Sequence, residues 1–251
     1  MGFSRDLCEE RARWVRYCRV LLVMALGGLC SSRARPAHSH ERDFPFTYDW
    51  MQPSQGEKEI ELQSRYRTDG SSFEQQLEFE YGISSRFMVA PYVVFNRQRD
   101  DSLRYSAFKI EARYQPGSYA TGKILPGFYA EYEKPSGEHG EVEGKIILSR
   151  YDRAGGDLSV NLITERALES DARSRYTYSF GYARPLSSGR YRARLGVEAV
   201  RDIDDGRVNA GPTLAFSPAS KTWAVVGYGF PVNQAGRNSG VLRFLLEYEW
   251  H

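Results

Sequence analysis

Apolar and polar residues alternate along most of the chain, the period-2 pattern of strands with two unlike faces. Ile60, Leu62 and Tyr66 alternate with Glu59, Glu61, Gln63 and Arg65, and Phe73, Leu77, Phe79 and Tyr81 with Glu74, Gln76, Glu78 and Glu80. The pattern returns at Phe108, Ile110, Ala112 and Tyr114, at Tyr176, Tyr178, Phe180 and Tyr182, and at Tyr191, Ala193, Leu195, Val197 and Ala199. Turn-forming groups such as Thr68-Asp69-Gly70, Pro135-Ser136-Gly137, Ala154-Gly155-Gly156 and Asp204-Asp205-Gly206 punctuate it. About twelve strands follow, near 57–67, 72–81, 86–97, 103–115, 125–134, 140–151, 157–166, 173–184, 190–202, 206–217, 221–230 and 239–250. Most are about ten residues long, enough for a tilted strand to cross the hydrocarbon layer.

The expected fold is all-β: a closed, antiparallel, up-and-down transmembrane β-barrel of about 12 strands. A water-soluble barrel or sandwich shows the same periodicity with its apolar faces turned inward. Three features favour lipid. Aromatic residues crowd the strand ends of the apolar face (Tyr66, Tyr81, Phe87, Phe95, Tyr114, Phe128, Phe216, Trp223 and Tyr248), as interfacial girdles require. The strands are too many for a small apolar interior, and the polar face is ionic.

The first 39 residues read as a cleaved signal peptide. Arg11, Arg13, Arg16 and Arg19 precede the short apolar run Val20 to Leu29; Ser32-Arg33-Ala34 and Ala37-His38-Ser39 both offer cleavage sites, and the second, after Ser39, is preferred. Residues 40–56, with Phe44-Pro45-Phe46 and Pro53, are expected to form a loop-like periplasmic lead, and 57–250 the barrel. The formal charge of +2 belongs largely to the signal, which holds seven Arg against Asp6, Glu9 and Glu10. The mature chain is left at about −2, which argues against nucleic acid as a partner. Cys8, Cys18 and Cys30 all lie in the same segment, so the exported product has no disulfide and no Cys metal site.

In the last strand Leu242, Phe244, Leu246, Tyr248 and Trp250 share one face, with Arg243, Glu247 and Glu249 on the other. This resembles the C-terminal assembly signal of Gram-negative outer-membrane barrels, although His251 follows the terminal aromatic. With Phe46-Thr47-Tyr48 ahead of Gly56-Glu57-Lys58-Glu59-Ile60, and the turn Glu80-Tyr81-Gly82-Ile83-Ser84-Ser85-Arg86, the mature chain looks like the poorly characterised Gram-negative outer-membrane barrels. The resemblance implies an outer-membrane location and a porin-like or transporter-like role. Its implied partners are outer-membrane lipid, the barrel-assembly machinery and a small polar solute.

On the polar face the expected lumen-lining residues are Glu59, Glu61, Arg65, Glu74, Glu78, Lys109, Glu111, Arg113, Glu131, Arg175, Arg192, Arg194, Arg243 and Glu247. The chain holds 28 Arg and 6 Lys, and Arg pairs with carboxylates in planar, bidentate fashion. Two readings stand side by side: a charged pore lining for small polar solutes, and an ion-pair network that fills a narrow barrel and conducts little. With both termini in the periplasm, the outer loops are 68–72, 98–102, 135–139, 167–172, 203–205 and 231–238, too short for a constricting loop. A passive or weakly selective channel is the leading reading. The alternatives are a non-transporting envelope or stress-related barrel, a lipid-modifying enzyme and a soluble periplasmic β-protein.

No catalytic residue, metal ligand or cofactor is expected. Ser136, Glu138 and His139 have the residue types of a hydrolytic site, but a Gly-rich turn does not preorganise them. Asp202, Asp204 and Asp205 before Gly206 read as a tight turn, without the ligand spacing of a calcium loop.

Overall fold

A computed structural model describes residues 41–99, 101–187, 192–233 and 239–250. The expected signal peptide, the three cysteines and His251 lie outside the described residues. Twelve strands follow one another: β1 Lys58–Arg67, β2 Ser72–Ser84, β3 Phe87–Gln98, β4 Arg104–Tyr114, β5 Leu125–Pro135, β6 Glu141–Tyr151, β7 Asp157–Ala167, β8 Arg175–Ser187, β9 Ala193–Asp202, β10 Val208–Ala219, β11 Thr222–Pro231 and β12 Val241–Trp250. Each pairs antiparallel with its sequence neighbours, and β12 closes on β1 from Lys58↔Trp250 to Arg67↔Val241. The sheet therefore has no unpaired edge, which a barrel in lipid requires because hydrocarbon cannot satisfy free backbone groups.

The distribution of side chains is inverted relative to a soluble protein. Ile60, Leu77, Phe79, Ile110, Phe128, Leu162, Tyr178, Val197, Leu214, Leu242 and Tyr248 are exposed on the outer surface. Their alternates, among them Glu59, Glu61, Glu78, Glu111, Arg113 and Glu247, are buried. Tyr248 is 50% exposed while the neighbouring Glu247 is 1% exposed. A soluble barrel would reverse those values. Transfer of so much apolar surface out of water needs acyl chains on the outside, and the fold is that of a membrane barrel.

Two expectations are corrected. Trp223, assigned above to the outer aromatic girdle, points inward, is 1% exposed and packs with Ala215, Val225 and Leu245. Strand β11 carries Trp223, Ala224, Val225 and Val226 in succession, so its alternation is ambiguous, and its register places Trp223 opposite the buried Glu247. The lead expected as a periplasmic loop is instead packed inside the barrel. Arg42, Asp43, Phe44, Thr47, Tyr48, Asp49 and Trp50 are all buried.

Candidate functional site: the occluded barrel interior

The lead makes no strand ladder with the wall; side chains of the barrel take several of its backbone hydrogen bonds, and Gly56 N donates to the Gly82 carbonyl at 2.8 Å. Tyr48 N donates to Asn161 Oδ1 at 2.7 Å, and Asn161 Nδ2 donates to the Tyr48 carbonyl at 2.7 Å. Thr47 N and Phe46 N both donate to Glu198 Oε1, at 2.6 and 3.1 Å. Trp223 Nε1 donates to the Arg42 carbonyl at 2.6 Å, Trp50 Nε1 to the Pro126 carbonyl at 3.0 Å, and Gln115 Nε2 to the Trp50 carbonyl. These contacts satisfy backbone groups that would otherwise be stranded in a buried segment.

Apolar and ionic contacts complete the attachment. Phe44 is wholly buried against Gly181, where a Cβ would lie 2.7 Å from its ring, and Pro45 sits against Gly227 at the same distance. Both wall positions need glycine to admit the lead. Arg42 Nη1 reaches both carboxylate oxygens of Glu61 at 3.0 Å. At one end of the barrel Arg192 pairs with Glu41, and Arg194 with Asp43. Burial pushes the Asp43 carboxyl up to about 7, more than the pull of the Arg194 guanidinium brings it down.

Tyr48 ends the packed region. Its ring lies 4.2 Å from the Arg42 guanidinium, 4.8 Å from that of Arg113 and 4.0 Å from Lys145 Nζ, with the Tyr129 ring edge-on at 5.2 Å. Three cations on one aromatic ring in a desolvated site hold it firmly.

Beyond Phe46 and Tyr48 the interior opens into a cavity of about 380 Å³. Its lining includes Arg65, Glu74, Lys109, Glu131, Glu133, Glu141, Glu143, Lys145, Glu165, Arg175 and Arg243. Several of these lie at the strand ends that flank turns 68–71, 136–140 and 168–174. The charges pair around the wall: Lys109 Nζ with Glu131 at 2.9 Å and Glu133 at 2.8 Å, Arg65 with Glu74 at 2.8 Å, Lys145 with Glu143 at 2.7 Å, and Arg175 with Glu165 at 3.0 Å. Tyr92 and Tyr129 both donate hydroxyls to Glu131.

The fourteen residues singled out in the sequence thus divide into three groups. Arg65, Glu74, Lys109, Glu131, Arg175 and Arg243 border the cavity. Glu59, Glu61, Glu78, Glu111, Arg113 and Glu247 are buried outside the cavity lining. Arg192 and Arg194 hold the lead. Sequence reasoning missed Asn161, Lys145 and the packing of the lead, and left Glu198 on the polar face of its strand without singling it out. A signal for the lead was present: Phe44, Phe46, Tyr48 and Trp50 alternate with polar or proline positions, although no strand follows from it.

The hydrolytic and calcium candidates behave as turns. Ser136, Glu138 and His139 are all exposed, and the Glu138 carbonyl accepts from Lys134 Nζ at 2.6 Å. Asp202 Oδ1 accepts the backbone N–H groups of Asp204 and Asp205 at 3.0 and 3.2 Å, and Asp204 Oδ2 accepts that of Tyr176 at 2.7 Å. Those side-chain oxygens close the turn.

No protein-family model matches the chain, and no curated protein matches it. Solved structures do. The KdgM porin in complex with disordered oligogalacturonate is 15% identical, with a TM-score of 0.56 over 77% of this chain and 99% of its own. The NanC porin is 10% identical, with a TM-score of 0.51 over 75% and 98%. An outer membrane channel from Pseudomonas putida F1 is 10% identical, with a TM-score of 0.53 over 86% and 100%. At these identities the likeness is one of fold, and the chain has the closed twelve-stranded barrel of outer-membrane porins and channels.

Proposed function

We propose that the protein is an outer-membrane channel for small polar solutes whose resting state is closed by its own lead, residues 41–53. The carrying observation is the position of that lead: it ends the ionic cavity at Phe46 and Tyr48, and it is attached by side chains rather than built into the sheet. Its displacement would leave the hydrogen-bonded wall intact. Six carboxylates (Glu74, Glu131, Glu133, Glu141, Glu143, Glu165) face five cations of the wall (Arg65, Lys109, Lys145, Arg175, Arg243) around the cavity, with Arg42 of the seated lead as a sixth. Near-balance at that end of the pore favours weak selectivity between anions and cations there.

The porin-type fold supports this reading, and the KdgM complex is an example of a barrel of that type with an acidic oligosaccharide. With both termini in the periplasm, the cavity faces the cell exterior. The outward apolar belt contacts outer-membrane lipid, and Leu242, Phe244, Leu246, Tyr248 and Trp250 of β12 serve as the signal for the assembly machinery. A scaffold that never conducts is favoured by the number of contacts that fix the lead. Planar-bilayer recording separates the two. The full chain should show rare openings, and a chain lacking 41–53 should show steady conductance with weak ion selectivity. A lead-free barrel that folds, as judged by heat-dependent mobility in SDS, yet conducts nothing would refute the channel.

A further inference from the structure

The wall formed by β12, β1 and β2 carries two rows of directly opposed glutamates. Glu249, Glu59 and Glu80 form one row, and Glu247, Glu61 and Glu78 the other. All six are buried. Like charges directly across a sheet repel, and each unpaired ion in a desolvated site costs several kcal/mol. Two guanidinium groups reach into this array: Arg42 takes both oxygens of Glu61, while Arg113 bridges Glu80 and Glu111 of β4. Both carboxylate oxygens of Glu59, of Glu78 and of Glu247 have no hydrogen-bond partner, and neither does Glu111 Oε2.

One place in the array has the shape of a cation site. A carboxylate oxygen from each of Glu78, Glu80 and Glu111 lies within 4.8 Å of the other two. Oxygens bound to one calcium ion at about 2.4 Å are separated by at most about twice that length, the spacing limit that these three carboxylates meet. The register partner of Glu111 on the intervening strand β3 is Ala90, whose methyl group leaves room between the carboxylates. Arg113 holds the Oε1 atoms of Glu80 and Glu111. It therefore approaches those carboxylates through one oxygen each, and Glu78 supplies two more with no protein partner. Three carboxylates and one guanidinium sum to −2, the charge a divalent ion neutralises.

We propose that Glu78, Glu80 and Glu111 bind one hard divalent cation, calcium, inside the barrel. The donor set is oxygen alone, with no imidazole or thiolate to attract zinc or copper. Both oxygens of Glu78 and Oε2 of Glu111 have no hydrogen-bond partner, and with a Glu80 oxygen beside them they form the irregular oxygen set that calcium accepts. Magnesium demands near-ideal octahedral geometry and retains water, for which this buried set is poorly suited. The inference does not depend on the channel reading, since an ion there would brace the wall of an open or a closed barrel alike.

The test uses the refolded mature chain in detergent without lipopolysaccharide, stripped with EDTA and titrated with calcium chloride or magnesium chloride. Calorimetry should give one calcium per chain with at least tenfold weaker magnesium binding, and the unfolding temperature should climb with calcium. Glu78→Gln should weaken calcium binding at least about 100-fold. The same change should raise the unfolding temperature of the EDTA-treated protein, because it removes an uncompensated buried charge. Those opposite signs distinguish a ligand from a residue that merely props up the wall. Glu111→Gln should also lose binding, whereas Glu247→Gln, two strands from Glu78, should retain one calcium. A wild-type chain indifferent to both EDTA and calcium overturns the proposal, as does Glu78→Gln with undiminished affinity.

Discussion

Replacing Asn161 by alanine removes the amide that closes two 2.7 Å hydrogen bonds on the backbone of Tyr48. Both Asn161 and Tyr48 are buried, so the change strands one N–H and one carbonyl. A buried polar group that loses its partner costs about 1–3 kcal/mol, and the pair together about 2–6 kcal/mol of lead attachment. With about 1.4 kcal/mol per decade, the detached population should rise at least about 30-fold. The strand that carries Asn161 keeps its ladder, because β7 remains paired with β6 and β8 through backbone groups. Single-channel recording in planar bilayers should therefore show more frequent openings at an unchanged amplitude, equal to that of the chain lacking 41–53. Protease added to detergent-solubilised protein should cut the lead faster in parallel. A variant whose lead is cut readily while its opening frequency stays at the wild-type level would refute the lead as the closure.

Other perturbations probe the same attachment from different sides. Arg194→Ala removes the partner of Asp43 and should raise open probability; unchanged conductance with lost anion preference would instead mark Arg194 as pore lining. Gly181→Val places a side chain into the Phe44 ring and should open the channel while the barrel keeps its heat-dependent mobility; a closed channel would show that Phe44 has another place to go. Asp43 has a carboxyl raised from 3.8 to about 7 inside the barrel, so attachment favours its protonated form. That contribution is fully present below about pH 4 and is lost as pH rises through about 7. Opening frequency should thus increase between pH 4 and 8, and Asp43→Asn should flatten the profile; the same slope in the variant would assign the dependence to another group.

The strands were legible because a barrel in lipid imposes strict alternation, and the turns between them carry Gly, Asp and Pro in short clusters. The ionic residues were legible as a face, since charge on a lipid-facing position is costly. The lead was not. Phe44-Pro45-Phe46 and Pro53 interrupt any ladder, and the groups that hold it, Asn161 and Glu198, lie 113 and 152 residues along the chain from Tyr48 and Phe46. Nothing local announces such partners. Trp223 failed for a different reason: four apolar residues in a row in β11 leave the facing direction to register, and the register depends on β12.

Residues 41–250 hold three tryptophans, which makes the arrangement of the barrel's faces directly measurable. Trp250 stacks on Tyr248 at 6.1 Å and approaches Phe79 at 5.8 Å on the outer surface, whereas Trp50 and Trp223 are buried with the lead. Single-tryptophan variants in bilayers of brominated phospholipid report contact with acyl chains through fluorescence quenching. Strong quenching of Trp250 alone, with Trp50 and Trp223 unaffected, is the expected result. Quenching of Trp223 or Trp50 by lipid, with Trp250 insensitive, would contradict a barrel that turns its apolar face to the membrane and keeps its lead within.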